Sequence, residues 1–149
     1  MRVNLIHPNE LTDQHLIAEY CEQFMLIGML QKTLNSKQGF ISSKVPKEFT
    51  LNKGHAYFFY NKGRFIYQRF EKLKWEMKAR KIAVNRHFPL WAWPDKLFND
   101  WAPSERDISI SRQRIIERIA KKPEWYRYKK GKLDINHFIG AYDNGYQKA

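Results

Sequence analysis

Apolar residues recur every three or four positions near the start of the chain, which is the spacing of one face of an α-helix. From about Leu11 to Leu34 the repeating positions are Leu16, Tyr20, Phe24, Ile27 and Leu34. A short polar side chain at either Asn9 or Thr12 can cap the helix by accepting a backbone hydrogen bond. The pattern predicts a first helix over residues 11–34.

Two further stretches show the same spacing. Residues 54–83 form one long helical pattern, with Phe59, Ile66, Phe70, Leu73 and Met77 on its apolar side. Residues 111–122, SRQRIIERIAKK, predict a shorter helix with a buried side made of Ile108, Ile115 and Ile119. Pro123 closes it, because the residue before a proline disfavours helical geometry.

The connecting segments are long and rich in turn formers. Residues 36–54 predict a loop, and residues 86–105, with three prolines and three tryptophans, predict a packed loop rather than a linker. We find neither an internal repeat nor a low-complexity tract. The chain is therefore expected to be a single all-α domain over residues 1–149, with three main helices and long ordered loops. Residues 133–149 are expected to be a C-terminal extension, and their role is open.

Charge narrows the class of partner. The chain has 27 Lys plus Arg against 15 Asp plus Glu, a net charge of +12 and an isoelectric point near 9.8. Such an excess predicts a polyanionic partner, most often nucleic acid, although ribosomal or membrane-surface roles fit the charge alone. The longest apolar run, at 24–30, is too short to span a bilayer, so we expect a cytoplasmic protein with no membrane partner.

Cysteine and histidine usage argues against metal chemistry. The single cysteine, Cys21, is incompatible with an internal disulfide framework or a multi-cysteine zinc site. The five histidines, at positions 7, 15, 55, 87 and 137, are too scattered to predict a ligand set. We therefore expect neither a metal nor a cofactor.

The positive charge is concentrated in two segments. Residues 62–86 and residues 112–132 each contain nine Lys or Arg against two Glu. In the second segment Ser111, Arg114, Arg118 and Lys122 recur on one predicted helix face, where they would suit phosphates. After them come Trp125, Tyr126, Arg127 and Tyr128. These aromatic rings could stack on bases, or Trp125 and one tyrosine could pack on the core; both interpretations stay open.

The first thirty residues are acidic, unlike the rest of the chain: Arg2 stands against Glu10, Asp13, Glu19 and Glu22. The motifs MRVNLI and ELTDQHLIAEYCE there, KGHAYFFYNK at 53–62 and SISRQRIIERIAKKPEWYRY at 109–128 closely resemble the pyrimidine-dimer DNA glycosylase family, which includes phage enzymes of the endonuclease V type. Residues 84–106 and the last seventeen have no counterpart in that pattern. The resemblance implies an all-α DNA glycosylase with linked abasic-site lyase activity.

The resemblance also implies particular residues. The family's nucleophile is the N-terminal α-amine and its essential acid closes the AEYRE motif, which correspond to Met1 and Glu22. The acidic start would then serve a sugar rather than phosphates. The remaining matched residues are implied to bind DNA, the first four near the reaction centre: Arg2, Gln14, His15, Tyr20, Arg114, Arg118, Trp125, Tyr126, Arg127 and Tyr128. The cationic face adds Lys122.

The chemistry of an α-amine supports the role implied for Met1. Such an amine has a reference pKa of about 7.8, against about 10.4 for a lysine, so a far larger fraction of it is neutral and nucleophilic near pH 7.5. The large side chain of Arg2 is expected to prevent removal of Met1, which leaves the amine in the register of the family's nucleophile. His55, in contrast, is expected to be a satisfied structural histidine.

Two departures from the family pattern affect the predicted substrate. Cys21 and Met25 stand where the family has arginines, so two phosphate contacts are missing. A catalytic thiol at Cys21 is the least supported role, because no cation that would lower its pKa is evident. The expected partner is double-stranded DNA with a damaged base, bound by a monomer near the nucleoid of a bacterium or in a virus-infected cell. The alternatives are a glycosylase for another damaged or modified base and a non-catalytic DNA- or RNA-binding protein.

Overall fold

Helices dominate the computed structural model, which describes residues 1–132. The helices are α1 (Asp13–Leu34), α2 (His55–Phe59), α3 (Gly63–Ala79) and α4 (Glu105–Lys121). Short 3-10 turns lie at Pro8–Glu10, Ser42–Lys44, Leu90–Ala92 and Asp95–Leu97. A hairpin of β1 (Arg127–Tyr128) and β2 (Gly131–Lys132) pairs Arg127 with Lys132 and Tyr128 with Gly131. The predicted all-α class with three main helices is confirmed. The predicted extension at 133–149 lies outside the described residues.

Helix α1 begins two residues after the predicted start. Thr12 is its N-cap, and the Thr12 side chain accepts a hydrogen bond from the His15 backbone N–H at 3.1 Å. Asn9, the other candidate cap, lies in the preceding 3-10 turn. The predicted apolar face packs against α3, where Tyr20 stacks on Phe70 with ring centroids 5.3 Å apart. Of its predicted positions, Leu16, Tyr20 and Ile27 are buried, and Phe24 and Leu34 are half-buried. Among residues 1–132, no helix is both long and apolar enough to cross a membrane.

The prediction of a single long helix over residues 54–83 is wrong, because this stretch forms two helices, α2 and α3, with a break between them. A Cβ on Gly63 would lie 2.5 Å from the indole of Trp93, so the first residue of α3 must be glycine for that ring to pack. The Trp93 indole N–H donates to the Tyr60 carbonyl at 3.1 Å. The helical pattern therefore breaks where the Trp93 ring, from the later loop, packs against the start of α3.

Helix α4 begins six residues before the predicted start at Ser111. Ser104 is the N-cap of a capping box, in which its side chain accepts from the Asp107 N–H while the Asp107 carboxylate accepts from the Ser104 N–H. The prediction that Ser111 lies on the cationic face is wrong, because Ser111 is 1% exposed and faces the core. Of the predicted buried side, Ile115 and Ile119 are fully buried and Ile108 is half-buried.

The loop before α4 packs as predicted. Phe88, Ala92, Trp93 and Leu97 are buried within it, whereas Trp91 is 84% exposed. The Trp93 ring packs against Gly63, and Phe88 contacts Phe70 with ring centroids 5.5 Å apart. These contacts hold the segment against α3, although its only regular elements are the two short 3-10 turns at Leu90–Ala92 and Asp95–Leu97.

Buried ion pairs join α1 to α3. Glu19 receives two hydrogen bonds from the Arg69 guanidinium, at 2.7 and 2.9 Å, and both side chains are almost completely buried. Asp13 accepts from Arg80 at 2.9 Å and also from the backbone N–H groups of Lys129 and Lys130. A buried pair of this kind is destabilising to break, because the remaining charge is left without a partner. These acids therefore hold the helices and the hairpin together.

Candidate active site

The first five residues form no regular secondary structure and contact the helices through their backbone. Four consecutive backbone N–H groups donate to side chains of three helices: Arg2 to Glu22 (3.0 Å), Val3 to His55 (2.9 Å), Asn4 to Glu19 (3.2 Å) and Leu5 to Ser111 (3.2 Å). We call residues 1–5 with these four acceptors the N-terminal clamp. It fixes the direction of the chain up to its first residue.

The Glu22 carboxylate lies one residue from the chain's amino terminus. Its Oε2 accepts from the Arg2 N–H, and the Arg2 side chain turns back so that Nη1 donates to the Met1 carbonyl at 2.9 Å. Met1, Arg2 and Glu22 are all half-buried, so the group is open to solvent on one side. The structure thus places the predicted acid against the residue that follows the predicted nucleophile.

His55 holds the third residue of the chain from the start of α2. It is 4% exposed, its Nε2 accepts from the Val3 N–H and its Nδ1 lies 2.7 Å from the Thr50 carbonyl. Because a backbone N–H only donates and a carbonyl only accepts, the ring carries one proton, on Nδ1. Burial lowers the pKa of His55 to about 4, so the ring is neutral at physiological pH. The structural role predicted for His55 is confirmed.

Arg114 on α4 joins this group to the cationic face. It is half-buried, and burial lowers the pKa of its guanidinium. The charges of Arg2 and Arg118 lower that pKa further, whereas the Glu22 carboxylate raises it. Arg118 follows on the exposed surface of α4, and the exposed Lys122 follows as its C-cap. A row of cations therefore starts beside Glu22 and continues to the C-terminal end of α4.

His15 and Tyr126 form a stacked pair next to that row. Their ring centroids are 4.8 Å apart with an angle of 5° between the planes, and His15 Nδ1 lies 2.7 Å from the Thr12 hydroxyl. Burial, with Arg114 and Arg118, lowers the pKa of His15 to about 4. A neutral ring can lie beside two guanidinium groups without adding to their repulsion.

Gln14 fixes the segment after α4. Its Nε2 donates to the Trp125 carbonyl at 2.7 Å and its Oε1 accepts from the Arg127 N–H at 2.9 Å. Tyr126 is 8% exposed, whereas Trp125 is 58% exposed and meets the Tyr126 ring edge-on at 4.9 Å. The Tyr128 hydroxyl donates to the Asn9 carbonyl at 2.6 Å. Of the two interpretations left open for these rings, core packing applies to Tyr126, and Trp125 with Arg127 reach solvent.

The structure does not bring Tyr20 to this surface. It is 5% exposed, and its hydroxyl accepts from the Arg86 N–H at 3.2 Å. The expectation that the whole acidic start faces a sugar is also wrong for two acids. Glu19 accepts hydrogen bonds from Arg69 and from the Asn4 N–H, and Asp13 accepts from Arg80. Only Glu22 of these three acids lies beside the first residue of the chain.

Several members of the clamp were not predicted from the sequence. Asn4, whose side chain also donates to Glu19 at 2.9 Å, and Ser111 have no marker beyond their places in the matched motifs. Cys21 and Met25 are exposed on α1, where they leave an uncharged surface next to Glu22. Among the described residues, no three His, Cys, Asp or Glu side chains are grouped so that they could hold a metal.

A comparison with known protein families identifies the chain. The family model described as pyrimidine dimer DNA glycosylase matches residues 1–90. That range contains the clamp residues up to His55, the Glu22 carboxylate and the α1–α3 pairing. It covers more than half of the chain, and it agrees with the resemblance found in the motifs. This protein belongs to the pyrimidine dimer DNA glycosylase family.

Proposed function

We propose that the chain excises pyrimidine dimers from double-stranded DNA and then cleaves the strand as an abasic-site lyase. The observation that carries the proposal is the hydrogen bond from the Arg2 N–H to Glu22 Oε2 at 3.0 Å, since it holds a carboxylate one residue from the amino terminus. Membership of the family supports the glycosylase activity. The linked lyase activity is our inference from this position of the Glu22 carboxylate, next to the residue that follows Met1.

In the proposed first step, the neutral α-amine of Met1 attacks C1′ of the damaged nucleotide. The bond from C1′ to the base breaks with its electron pair, and the base leaves through a state with oxocarbenium character. The Glu22 carboxylate stabilises the positive charge that develops on the sugar. The amine gives one proton to the leaving base; the C1′–O4′ bond then breaks, O4′ takes a proton from solvent, and the nitrogen lone pair forms an iminium that joins the Met1 nitrogen to C1′.

In the proposed second step, Glu22 acts as a general base. The iminium acidifies the C2′ proton; Glu22 removes it, and the electron pair expels the 3′ phosphate by β-elimination. Water then hydrolyses the imine and restores the amine. One carboxylate thus serves both steps, which suits a site where the other nearby acid, Glu19, is occupied by Arg69.

DNA binding is proposed to use the row of cations beside the reaction centre. Arg2 and Arg114 both interact with Glu22, and Arg118, Lys122 and Arg127 extend the positive surface for phosphates. Exposed Trp125 supplies a ring that can stack on a base. We propose that Gln14, His15, Tyr126 and Tyr128 position this surface through the contacts described above, and that buried Tyr20 positions α1.

A second candidate substrate is favoured by the α1 surface. Cys21 and Met25 are exposed near Glu22 in the sequence of α1 and carry no charge, so these two positions offer no cation for the phosphates of a dimer-containing strand. A glycosylase for another damaged or modified base would use the same amine and carboxylate. Assays with a panel of single-lesion duplexes distinguish the two substrates.

The test is covalent trapping. Borohydride reduces an imine between enzyme and sugar to a stable amine, so dimer-containing duplex should give an adduct on the peptide that begins at Met1. A non-catalytic DNA- or RNA-binding protein would give none. An adduct on an internal lysine would reject the Met1 assignment while leaving the glycosylase activity in place.

A further inference from the structure

A groove beside α2 is not used by the proposed reaction. It has a volume of about 590 Å³ and lies between α1, the loop before α2, and α2 itself. Ligand sites in proteins typically have volumes of about 300–1,000 Å³. Its apolar lining includes Met29, Pro46, Ala56 and Tyr57, and Lys44 and Lys53 also line it. We call this feature the α2 groove.

The walls of the α2 groove are held in place. The Tyr57 hydroxyl accepts from the Ile41 N–H at 2.9 Å, and the Tyr57 ring stacks on Phe40 with centroids 5.7 Å apart. Gly54 has a φ of +97°, and a Cβ there would lie 2.9 Å from the Pro46 ring, so glycine allows the loop to close against α2. The groove therefore exists before anything binds to it.

The lining suits one nucleotide. An aromatic ring and a thioether offer apolar contact to a base, and two exposed lysines offer charge to the phosphates on either side of it. Among residues 1–132, neither Lys44 nor Lys53 forms a salt bridge with an acid. A base paired within a duplex cannot enter a groove, so the fitting ligand is an unpaired nucleotide.

Helix α1 relates this groove to the reaction centre. Met29 follows Glu22 by seven residues, which is two helical turns on nearly the same face, or about 10 Å along the axis. A duplex advances 3.4 Å per base pair, so the separation corresponds to about three nucleotides. Met25 lies between them on the exposed side of α1 and is 55% exposed. The surface between the two sites is therefore open.

We propose that the α2 groove binds an unpaired nucleotide about three positions from the lesion, so that the enzyme prefers damage flanked by locally opened DNA. The base contacts Tyr57 and Met29, and Lys44 and Lys53 hold the adjoining phosphates. The placement of the groove relative to the lesion rests on the proposed function, whereas its affinity for unpaired DNA does not.

The experiment compares two duplexes that carry the same lesion. One is fully paired, and the other has two mismatched pairs centred three positions from the lesion, on either side in separate versions. Equilibrium binding is measured by fluorescence anisotropy at fixed salt. Wild type should bind one of the opened duplexes about tenfold more tightly, a preference that the double variant Lys44→Glu/Lys53→Glu should lose.

A matched control removes the effect of charge alone. The double variant Lys37→Glu/Lys47→Glu reverses two exposed lysines outside the α2 groove, so it should bind every duplex more weakly but keep the preference. Ala56→Trp, which fills the groove without changing the charge, should lose the preference and bind the paired duplex like wild type. Thermal unfolding of each variant confirms that it is folded.

Equal binding of paired and opened duplexes by wild type would overturn the proposal. So would a preference that survives in Lys44→Glu/Lys53→Glu to the same degree as in the control. Borohydride trapping of wild type, run in parallel, reports the proposed catalytic function separately. Absence of the adduct together with a groove-dependent preference would reject that function and retain the nucleotide site.

Discussion

The N-terminal clamp and the cationic face of α4 meet at Arg114, yet they are built in opposite ways. In the clamp, every backbone N–H from residue 2 to residue 5 has a side-chain acceptor. On the other surface, Arg118, Lys122 and Arg127 extend into solvent. Attack at a carbon requires a defined geometry, whereas attraction to phosphates tolerates mobile side chains. The contrast indicates where the molecule is sensitive to change.

The largest effect is expected from displacing the amine. One uncleaved residue added before Met1 moves the reactive nitrogen by about 3.5 Å, and misplacement by about 1 Å can already cost 10²-fold in rate. Base release and the borohydride adduct should both fall below detection, while binding to undamaged duplex stays unchanged. The same chain with the extra residue removed by a protease is the control. Full activity of the extended chain would remove the α-amine from the mechanism.

The second largest effect is expected from replacing the Glu22 carboxylate, which accepts from the Arg2 N–H in the clamp. Glu22→Gln should slow strand cleavage by about 10²- to 10⁴-fold, because the amide cannot take a proton from C2′. DNA affinity should be retained, since the amide oxygen can still accept from the Arg2 N–H. Single-turnover cleavage of abasic duplex measures the effect. Glu117→Gln, at an exposed position on α4, is the matched control and should behave like wild type.

Weakening the interior support of the clamp should affect stability rather than chemistry. Glu19→Gln leaves the buried Arg69 guanidinium without a charged partner, which typically costs about 3–5 kcal/mol of unfolding free energy. Urea denaturation measures the loss. The double variant Glu19→Met/Arg69→Met should recover part of it, because it removes both buried charges. A single variant as stable as wild type would mean that this ion pair does not support the fold.

Acid should loosen the clamp through His55. Its pKa is about 4 in the folded protein against 6.5 when exposed. Between those pH values the unfolded chain binds more protons than the folded protein, so lowering the pH reduces the free energy of unfolding. The contribution is complete above about pH 6.5 and is lost progressively down to about pH 4, to a total of up to about 3 kcal/mol. Unfolding free energies measured across this range should slope less in His55→Gln. Identical slopes would assign the acid sensitivity elsewhere, for example to His15, whose pKa is lowered to the same extent.

The smallest effect is expected on the solvated surface. Arg118→Ala should reduce the slope of log affinity against log salt by about 0.9 if one phosphate contact is lost, on damaged and undamaged duplex alike. Cleavage at saturating DNA should not change. Arg64→Ala, an exposed arginine on α3, serves as the control and should keep the wild-type slope. A cleavage rate reduced by Arg118→Ala would mean that this surface is also part of the rigid site.

Local signals predicted the ends of helices better than their interruptions. The apolar repeat and Thr12 placed α1 within two residues, because a cap and an amphipathic face are properties of one segment. The break before Gly63 was missed because its cause, the Trp93 ring, comes thirty residues later. The start of α4 was readable in Ser104 and Asp107, a capping box that the turn-forming residues around it obscured.

The candidate site shows the same division. Motifs pointed to Met1 and Glu22, which the structure brings close together. They could not separate Glu22 from Glu19, since both lie on one helix and only the position of Arg69 shows which acid is already paired. Tyr126 and Trp125 are adjacent aromatic residues in the sequence, and their different exposure depends on Gln14 and His15, more than a hundred residues earlier.

The bond from the Leu5 N–H to Ser111 spans 106 residues, and this separation has a consequence for biosynthesis. The ribosome adds about 5–20 residues per second, so roughly 5–20 s pass between the emergence of the amino terminus and that of its last clamp partner. Contacts of such long range form late in folding. During that interval the α-amine is an ordinary chain end, open to modification such as acetylation. The proposed nucleophile is therefore accessible to enzymes that modify nascent chains before the fold encloses it.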